Sequence, residues 1–448
     1  MVEKQKTINA LTYFFLFVCI FTSKHWGYQI LSAGGEVFRF DKILLFGQLN
    51  VYYLFAGLFF LIVFFEKFSP NNDRNILGDR NYLKYIFLMY FIPVNVLLYI
   101  TIYVKGITLY SLGSGVAPIL MFFVYLVTTF YIQDVLLKNK NYKQLVGIIT
   151  VLEVFILVRC FYSIVKYFLG FGYHDELLGG RIRLGYENDF ADFFILLFII
   201  ALTRLLFEKN ESRKVRMLHK LGVILSAYVA IFSFRRYFWL ELLVAGSIIL
   251  FFHHRFNKVH INKKVIFTCL IVVFVLGSLL IAGKDRIINN RFVGRFISVF
   301  SIIDEGKFTT QYGTNTGHVG ELEDGWYNVK RNWLLGVTPL GGEKVKRLEA
   351  KWQEGGTYVH CAFLYIWLNY GLLGLALFLA LYWKSIRLGL ELFINKGLPF
   401  GLMLFTFLCA QTIKNIIWNT IIINMNVTII YIFIISIAIK MKQNTERK

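Results

Sequence analysis

The sequence predicts an all-α fold: a polytopic integral membrane helix bundle of about twelve transmembrane helices with one large extracytoplasmic loop. Three observations carry that expectation. Of the 448 residues, 57% are hydrophobic, against the ~45–50% usual in soluble domains. The mean hydropathy is +0.59 and charged residues make up only 17%. The apolar residues also fall in runs of the ~17–25 residues that a helix needs to cross the hydrocarbon core. Together these exclude a disordered chain, a soluble globular enzyme and a small disulfide scaffold. Five cysteines are present, and Cys19, Cys160, Cys269 and Cys409 lie inside apolar runs, so no disulfide framework is expected. No CxxC or His/Cys spacing suggests a metal.

The runs that define the helices fall at 8–23, 43–65, 85–104, 112–137, 145–170, 189–207, 221–236, 237–252, 265–282, 358–383, 398–416 and 420–440. Residues 1–282 therefore form a bundle of about nine helices and 358–448 one of about three. Lys4 and Lys6 precede the first run and no small-residue cleavage site follows, which predicts a signal-anchor helix. Arg235 and Arg236 separate two short runs, which predicts a tight re-entry hairpin.

Orientation follows from the connections. With both termini in the cytoplasm, the inside segments hold 25 Lys and Arg, and the short outside segments hold 8. That asymmetry is the positive-inside signature. It accounts for most of the net charge of +21 without nucleic acid.

One connection breaks the short-loop pattern. Residues 283–357 form an outside segment with 11 basic and 9 acidic residues and a Gly-rich polar stretch from Gly313 to Gly320. Two amphipathic helices are expected within it, near 321–335 and 343–353. In the first, Trp326, Tyr327, Trp333 and Leu334 alternate with Glu323, Asp324, Lys330 and Arg331. Such a helix lies in the membrane interface on aromatic anchors, or forms a lid over a site there.

Ionisable residues inside the membrane are costly and usually paired or functional. On this topology several fall in the outer half: Arg159, Lys166, Asp189, Asp192, Arg235, Arg236, Glu241 and Lys414, with the polar amide of Gln411 beside Lys414 on the same helix. Lys166 and Lys414 either snorkel to the interface or join a site. Arg159 lies too deep for easy snorkelling, so a buried salt bridge or an anion contact is expected, with Asp189, Asp192 and Glu241 as neutralising partners. An excess of cations suits an anionic group, and the planar fork of Arg suits phosphate. His360 stands where the long loop re-enters the membrane. It is either an interfacial structural residue or a proton acceptor working near neutral pH.

These residues resemble a known family. His360 to Gly374 reads HCAFLYIWLNYGLLG, and His360, Leu364, Gly371, Leu372, Leu373 and Gly374 fall at the spacing of the O-antigen polymerase and O-antigen ligase family. Trp333-Leu334-Leu335-Gly336-Val337 resembles the Pro-Leu-Leu-Gly-Val-Gly segment of that family, and Phe232-Ser233-Phe234-Arg235-Arg236 its Ser-Arg motif. The helix count and the placement of the long loop match as well. Two departures stand out. Cys361 replaces the usual Asn, and His318, Glu321 or Glu323 occupy the region where the family carries a loop Arg.

The resemblance implies a bacterial plasma (inner) membrane glycosyltransferase that needs no metal, nucleotide or other cofactor. The donor is a polyprenyl (undecaprenyl) diphosphate-linked oligosaccharide, and an acceptor hydroxyl attacks its anomeric carbon. His360 is the expected catalytic base. Arg235 or Arg236, with Arg291 or Arg295 from the loop, would bind the diphosphate; Arg159, Glu241, Arg331 and Lys414 would be supporting charges. The expected partners are the lipid-linked donor and acceptor, the bilayer, a glycan flippase and a chain-length regulator, and no nucleic acid. A repeat-unit polymerase for O-antigen, capsule or exopolysaccharide is favoured over a ligase that moves finished glycan to lipid A core. A transporter (flippase) of lipid-linked glycans is the alternative from another class.

Overall fold

The computed structural model describes residues 2–21, 51–67, 124–168, 174–175, 181–182, 184, 188–208, 212–233, 236–257, 315–336, 359, 361–417 and 425–446. The runs at 85–104 and 265–282, the amphipathic segment at 343–353 and the Gly-rich stretch up to Thr314 lie outside these residues. Eleven helices are seen among them. They are α1 (Val2–Phe21), α2 (Val51–Lys67), α3 (Val124–Leu136), α4 (Tyr142–Phe168), α5 (Asn188–Phe207), α6 (Arg213–Phe232), α7 (Arg236–Asn257), α8 (Asn315–Arg331), α9 (Ala362–Ile394), α10 (Pro399–Ile417) and α11 (Met425–Glu446). The only strands among the described residues are two-residue pieces paired antiparallel, His174–Asp175 with Arg181–Ile182.

Apart from that pair, the described elements are all helices. Segments Tyr142–Val165, Tyr237–Phe256, Ala362–Ile394 and Asn426–Glu446 are long and apolar enough to cross a membrane. Large apolar side chains such as Phe14, Phe65, Phe161, Ile224, Leu243 and Phe251 point outward. In water such a surface would aggregate; in a bilayer it is the natural exterior.

Helix ends differ from the hydropathy runs because hydrogen bonding, not apolarity, sets them. The run at 221–236 begins eight residues earlier, at Arg213. Ser212 caps that start: its Oγ accepts from the Val215 amide at 3.4 Å, while its carbonyl accepts from the Arg216 amide at 3.0 Å. α6 ends at Phe232 and α7 starts at Arg236; Arg235 of the expected re-entry lies outside the described residues. Asn141 and Gln144 cap α4 reciprocally, each amide donating to the other's side-chain oxygen at 3.0 Å. α3 loosens into π-helical turns from Tyr131 to Leu136. There Tyr131 stacks on Phe59 of α2 at 3.9 Å and bonds Thr12 of α1 at 3.0 Å.

α5 and α10 form the centre. α5 packs on α4, α6, α7, α10 and α11, and α10 packs on α5, α7, α9 and α11. Phe193 to Ile200 of α5 are buried apart from Phe198. The antiparallel pair α9–α10 approaches closely: a Cβ on Gly401 would lie 2.5 Å from the Gly389 carbonyl oxygen. Small residues at such crossings let backbones meet.

Candidate active site

The segment expected at 358–383 is a broken helix. α9 runs from Ala362 to Ile394 but leaves helical geometry at Gly371, with φ 68° and ψ −173°. That region of backbone space belongs to glycine alone. The reason for the break is the chain leaving α8. After Arg331, residues Asn332–Gly336 fold into a turn that enters the gap. The Leu372 amide donates to the Trp333 carbonyl at 2.9 Å and to the Leu334 carbonyl at 3.2 Å. The Trp367 indole Nε1 donates to the same Trp333 carbonyl at 2.9 Å. Gly336 has φ 74°, and a Cβ there would stand 2.5 Å from the Gly371 nitrogen. A Cβ on Gly371 would collide with the Leu334 carbonyl.

Two glycine-bearing motifs that lie 35 residues apart in the chain are therefore one structural unit. α8 completes it. Val329, Val359 and Leu368 are buried together, with Cys361, Leu364, Tyr365 and Trp367 packed on them. Gly325 sits against Leu364 and Val359, and Trp326 meets Trp367 edge-on at 5.7 Å. The amphipathic helix expected at 321–335 is thus α8, starting and ending a few residues earlier, and clamped to α9 rather than freestanding. Leu322, Trp326, Trp333, Leu334 and Leu335 are exposed beside Lys330 and Arg331. Arg331 lies with its guanidinium 4.3 Å over the Tyr327 ring.

His360 lies outside the described residues, as do Arg235, Arg291, Arg295 and the side chains of Arg236, Lys166 and Asp189. Their chain neighbours are placed. Val359 is buried and Cys361 is the extended N-cap residue of α9, so the backbone is fixed on both sides of residue 360. The helix ends that flank Arg235 in the chain are tied to each other. Trp239 Nε1 of α7 donates to the Ala230 carbonyl of α6 at 3.1 Å, and Ser233 Oγ donates to that carbonyl at 2.7 Å.

Near the N-terminal end of α7, the helices α5, α7 and α10 bury a polar cluster. Lys414 Nζ contacts Asp192 Oδ2 at 2.5 Å, with both side chains at or below 1% exposure. Lys414 therefore does not snorkel: its charge is held inside the bundle. Glu241 lies within electrostatic reach of both. Gln411 and Asn415, on the same face of α10 at helical spacing, are fully buried. Both carboxylate oxygens of Glu241 and both polar atoms of Gln411 lack a hydrogen-bond partner among the described residues. Glu241 stands five residues, about 7.5 Å of helix rise, below Arg236.

Arg159 of α4 reaches the end of α1. It is 1% exposed, and its Nη1 donates to the Phe21 carbonyl at the end of α1 at 3.2 Å. A cation at a helix C-terminus meets the negative end of the helix dipole. Sequence reasoning missed a second buried network, near the opposite end of α5. Glu153 accepts from Arg204 Nη1 at 3.0 Å and pairs with His219 Nδ1 at 2.6 Å. Arg204 also bonds Thr150 at 2.9 Å and Glu208 at 3.0 Å. The lone carboxylate of Glu153 within an apolar run was the signal available for it.

Apolar helices long enough to span, a clamped amphipathic helix and buried charges shared by α5, α7 and α10 define a multi-pass membrane protein with a polar cluster inside its bundle. Residues 221–379 match a family model described as O-antigen ligase, which bears out the resemblance to the O-antigen polymerase and ligase family. The matched stretch holds Arg235, Arg236, Glu241, α8, His360 and the Gly336–Gly371 contact. It gives no support to the transporter alternative. No curated protein matches the chain.

Proposed function

We propose that the protein is a repeat-unit polymerase. It would transfer glycan from an undecaprenyl diphosphate-linked donor to the growing end of a lipid-linked acceptor repeat, at the outer face of the bacterial inner membrane. In this reading about twelve helices span the membrane, both termini are cytoplasmic, and 283–357 is the outer loop. The acceptor hydroxyl gives its proton to His360 and its oxygen bonds to the anomeric carbon. The bond from that carbon to the diphosphate oxygen breaks, and the diphosphate leaves on its lipid. Arg235 or Arg236, with Arg291 or Arg295, takes up the developing charge, so no metal is required. Charges placed beforehand avoid reorganisation during the reaction, and a well-placed base contributes ~10²–10⁴-fold.

The observation that carries this reading is the family match over 221–379, which contains the base and the arginine pair. The α8–α9 clamp supports it, because a turn anchored on both sides gives residue 360 a fixed frame. Glu241 and the Asp192–Lys414 pair are suited to hold the arginine turn in place. A flippase and a chain-length regulator are the expected partners, and the product is O-antigen, capsule or exopolysaccharide. A ligase is the second reading, favoured by the family description itself.

The test is the surface glycan of a deletion strain, resolved by size on a gel, with wild type or His360→Ala supplied in trans. Single repeat units that never lengthen, in both the deletion and the variant, support a polymerase. Long chains retained on the lipid carrier establish the ligase. Full-length surface polymer with His360→Ala removes both.

A further inference from the structure

Phe363 and Phe378 of α9 are fifteen residues apart, which a straight helix would stretch to about 22 Å. Their ring centroids are 6.0 Å apart. The stretch 362–370 therefore folds back at Gly371 and does not prolong the rest of α9. That break coincides with the ends of neighbouring helices. Gly401 of α10 meets Gly389 of the antiparallel α9. Ile417 closes α10 sixteen residues beyond Gly401, and the same count back from Gly389 reaches Leu373. α5 begins at Asn188, one turn before the Asp192 that contacts Lys414 near the end of α10. The break thus stands level with the start of α5 and the end of α10, and the clamped pair of α8 and 362–370 lies across that level.

α8 exposes two chemistries. At the helical angle between residues, Leu322 and Trp326 form one exposed edge, beside the face that Gly325 and Val329 bury. Glu323, Lys330 and Arg331 form the other edge. Lys330 Nζ stands 5.4 Å from the Trp326 ring centre, and the Arg331 guanidinium 4.3 Å from that of Tyr327. Trp333, Leu334 and Leu335, in the turn that follows, are exposed as well. The bonds from the Leu372 amide to the Trp333 and Leu334 carbonyls set this turn against the exposed Leu372 and Leu373. From there the exposed apolar surface runs on along α9 through Leu379 and Trp383. On a spanning helix that is the surface that meets acyl chains.

We propose that α8 and the stretch 362–370 dock as one unit into the boundary between lipid head groups and acyl chains. Leu322, Trp326, Trp333, Leu334 and Leu335 enter the acyl side, and Glu323, Lys330 and Arg331 stay toward water. Lipid is the occupant because the patch continues the acyl-facing surface of α9 and lies level with the helix ends. Indole rings beside cationic side chains suit that depth, where one end of a side chain is dry and the other wet. α9 accordingly enters the acyl layer at Gly371, about nine residues later than its first helical residue. α8 is an anchor and not a lid free to lift, and the backbone flanking residue 360 is held at the depth of the docked pair. The docking itself does not depend on the transfer reaction proposed above.

The experiment places the full chain in nanodiscs of phosphatidylcholine and phosphatidylglycerol, with a nitroxide on one introduced cysteine at a time. Access of oxygen and of a nickel chelate, read by electron paramagnetic resonance, gives the depth. Cys361→Ser removes the half-buried native thiol, and that parent, treated with the label, is the blank. Labels at Leu322→Cys and Leu334→Cys should lie about 5–10 Å into the boundary. That depth falls between Glu323→Cys, open to the chelate, and Leu379→Cys, within the oxygen-rich layer. Chelate access at Leu322→Cys and Leu334→Cys equal to that at Glu323→Cys would overturn the docking and mean a surface for glycan or protein. A depth equal to that of Leu379→Cys would overturn the boundary at Gly371. Unlabelled protein gives a second reading. Lipids brominated next to the head group should quench tryptophan fluorescence, and Trp326→Phe with Trp333→Phe should remove part of that quenching. The same quenching in the double variant would also overturn the docking.

Discussion

Substituting alanine for Gly371 tests whether the two motifs form one unit. The backbone there has φ 68° and ψ −173°, a region that costs non-glycine residues on the order of 1–3 kcal/mol. The new Cβ also runs into the Leu334 carbonyl, which is backbone and cannot rotate away. Forced overpacking of this kind adds roughly 1–3 kcal/mol. The sum, about 2–6 kcal/mol, is large against ordinary stabilities of ~5–15 kcal/mol. Relief requires either helical geometry at residue 371 or withdrawal of the Trp333–Gly336 turn. Both sacrifice the bonds from the Leu372 amide and the Trp367 indole. The assay is thermal unfolding in mild detergent, paired with Gly57→Ala, where nothing lies within 4 Å of a new Cβ. Gly57→Ala should be neutral or stabilising by up to ~1 kcal/mol. Gly371→Ala should unfold several degrees lower and expose the α8–α9 connection to protease. An unchanged midpoint and unchanged protection would refute the clamp.

Other perturbations test the buried charges. Lys414→Met leaves Asp192 and Glu241 facing each other in the interior and should destabilise by about 3–5 kcal/mol. Adding Asp192→Asn should recover most of that loss; additive effects in the same unfolding assay would show that the two do not act as a pair. Glu153→Gln removes the carboxylate shared by Arg204 and His219, and a loss of about 3 kcal/mol or more is expected for a broken buried ion pair. Full accumulation in membranes and an unchanged unfolding midpoint would contradict that. Ser212→Ala should weaken the start of α6 by about 1 kcal/mol, which hydrogen exchange at the Val215 amide would register. Protection equal to wild type would remove the cap.

Much of this fold is legible in the sequence because lipid-facing helices are apolar all round, so each run announces an element. Ten of the twelve expected runs coincide with helices in the described residues. Ends are less legible, since Arg213–Lys220 is charged yet helical and hydropathy stops short of it. The break at Gly371 was hidden for a different reason. Glycine in an apolar run reads as small-residue packing, and only the Leu334 carbonyl entering the gap explains it. Among the site residues, Lys414 and Asp192 were visible as charges in apolar runs, but their pairing needs the crossing of α5 and α10. Asn415 escaped notice because a neutral amide after Lys414 carries no charge signal.

The central claim is that His360 is the base of a glycosyl transfer whose diphosphate leaving group is held by arginine. Its most direct test is the rate of transfer by purified protein, in chelator and with synthetic undecaprenyl diphosphate-linked repeat units, for wild type and His360→Ala of equal fold and yield. The expected outcome is polymer from the wild type without metal, and a rate lower by about 10²–10⁴-fold for the variant. Wild-type turnover by His360→Ala would contradict the claim.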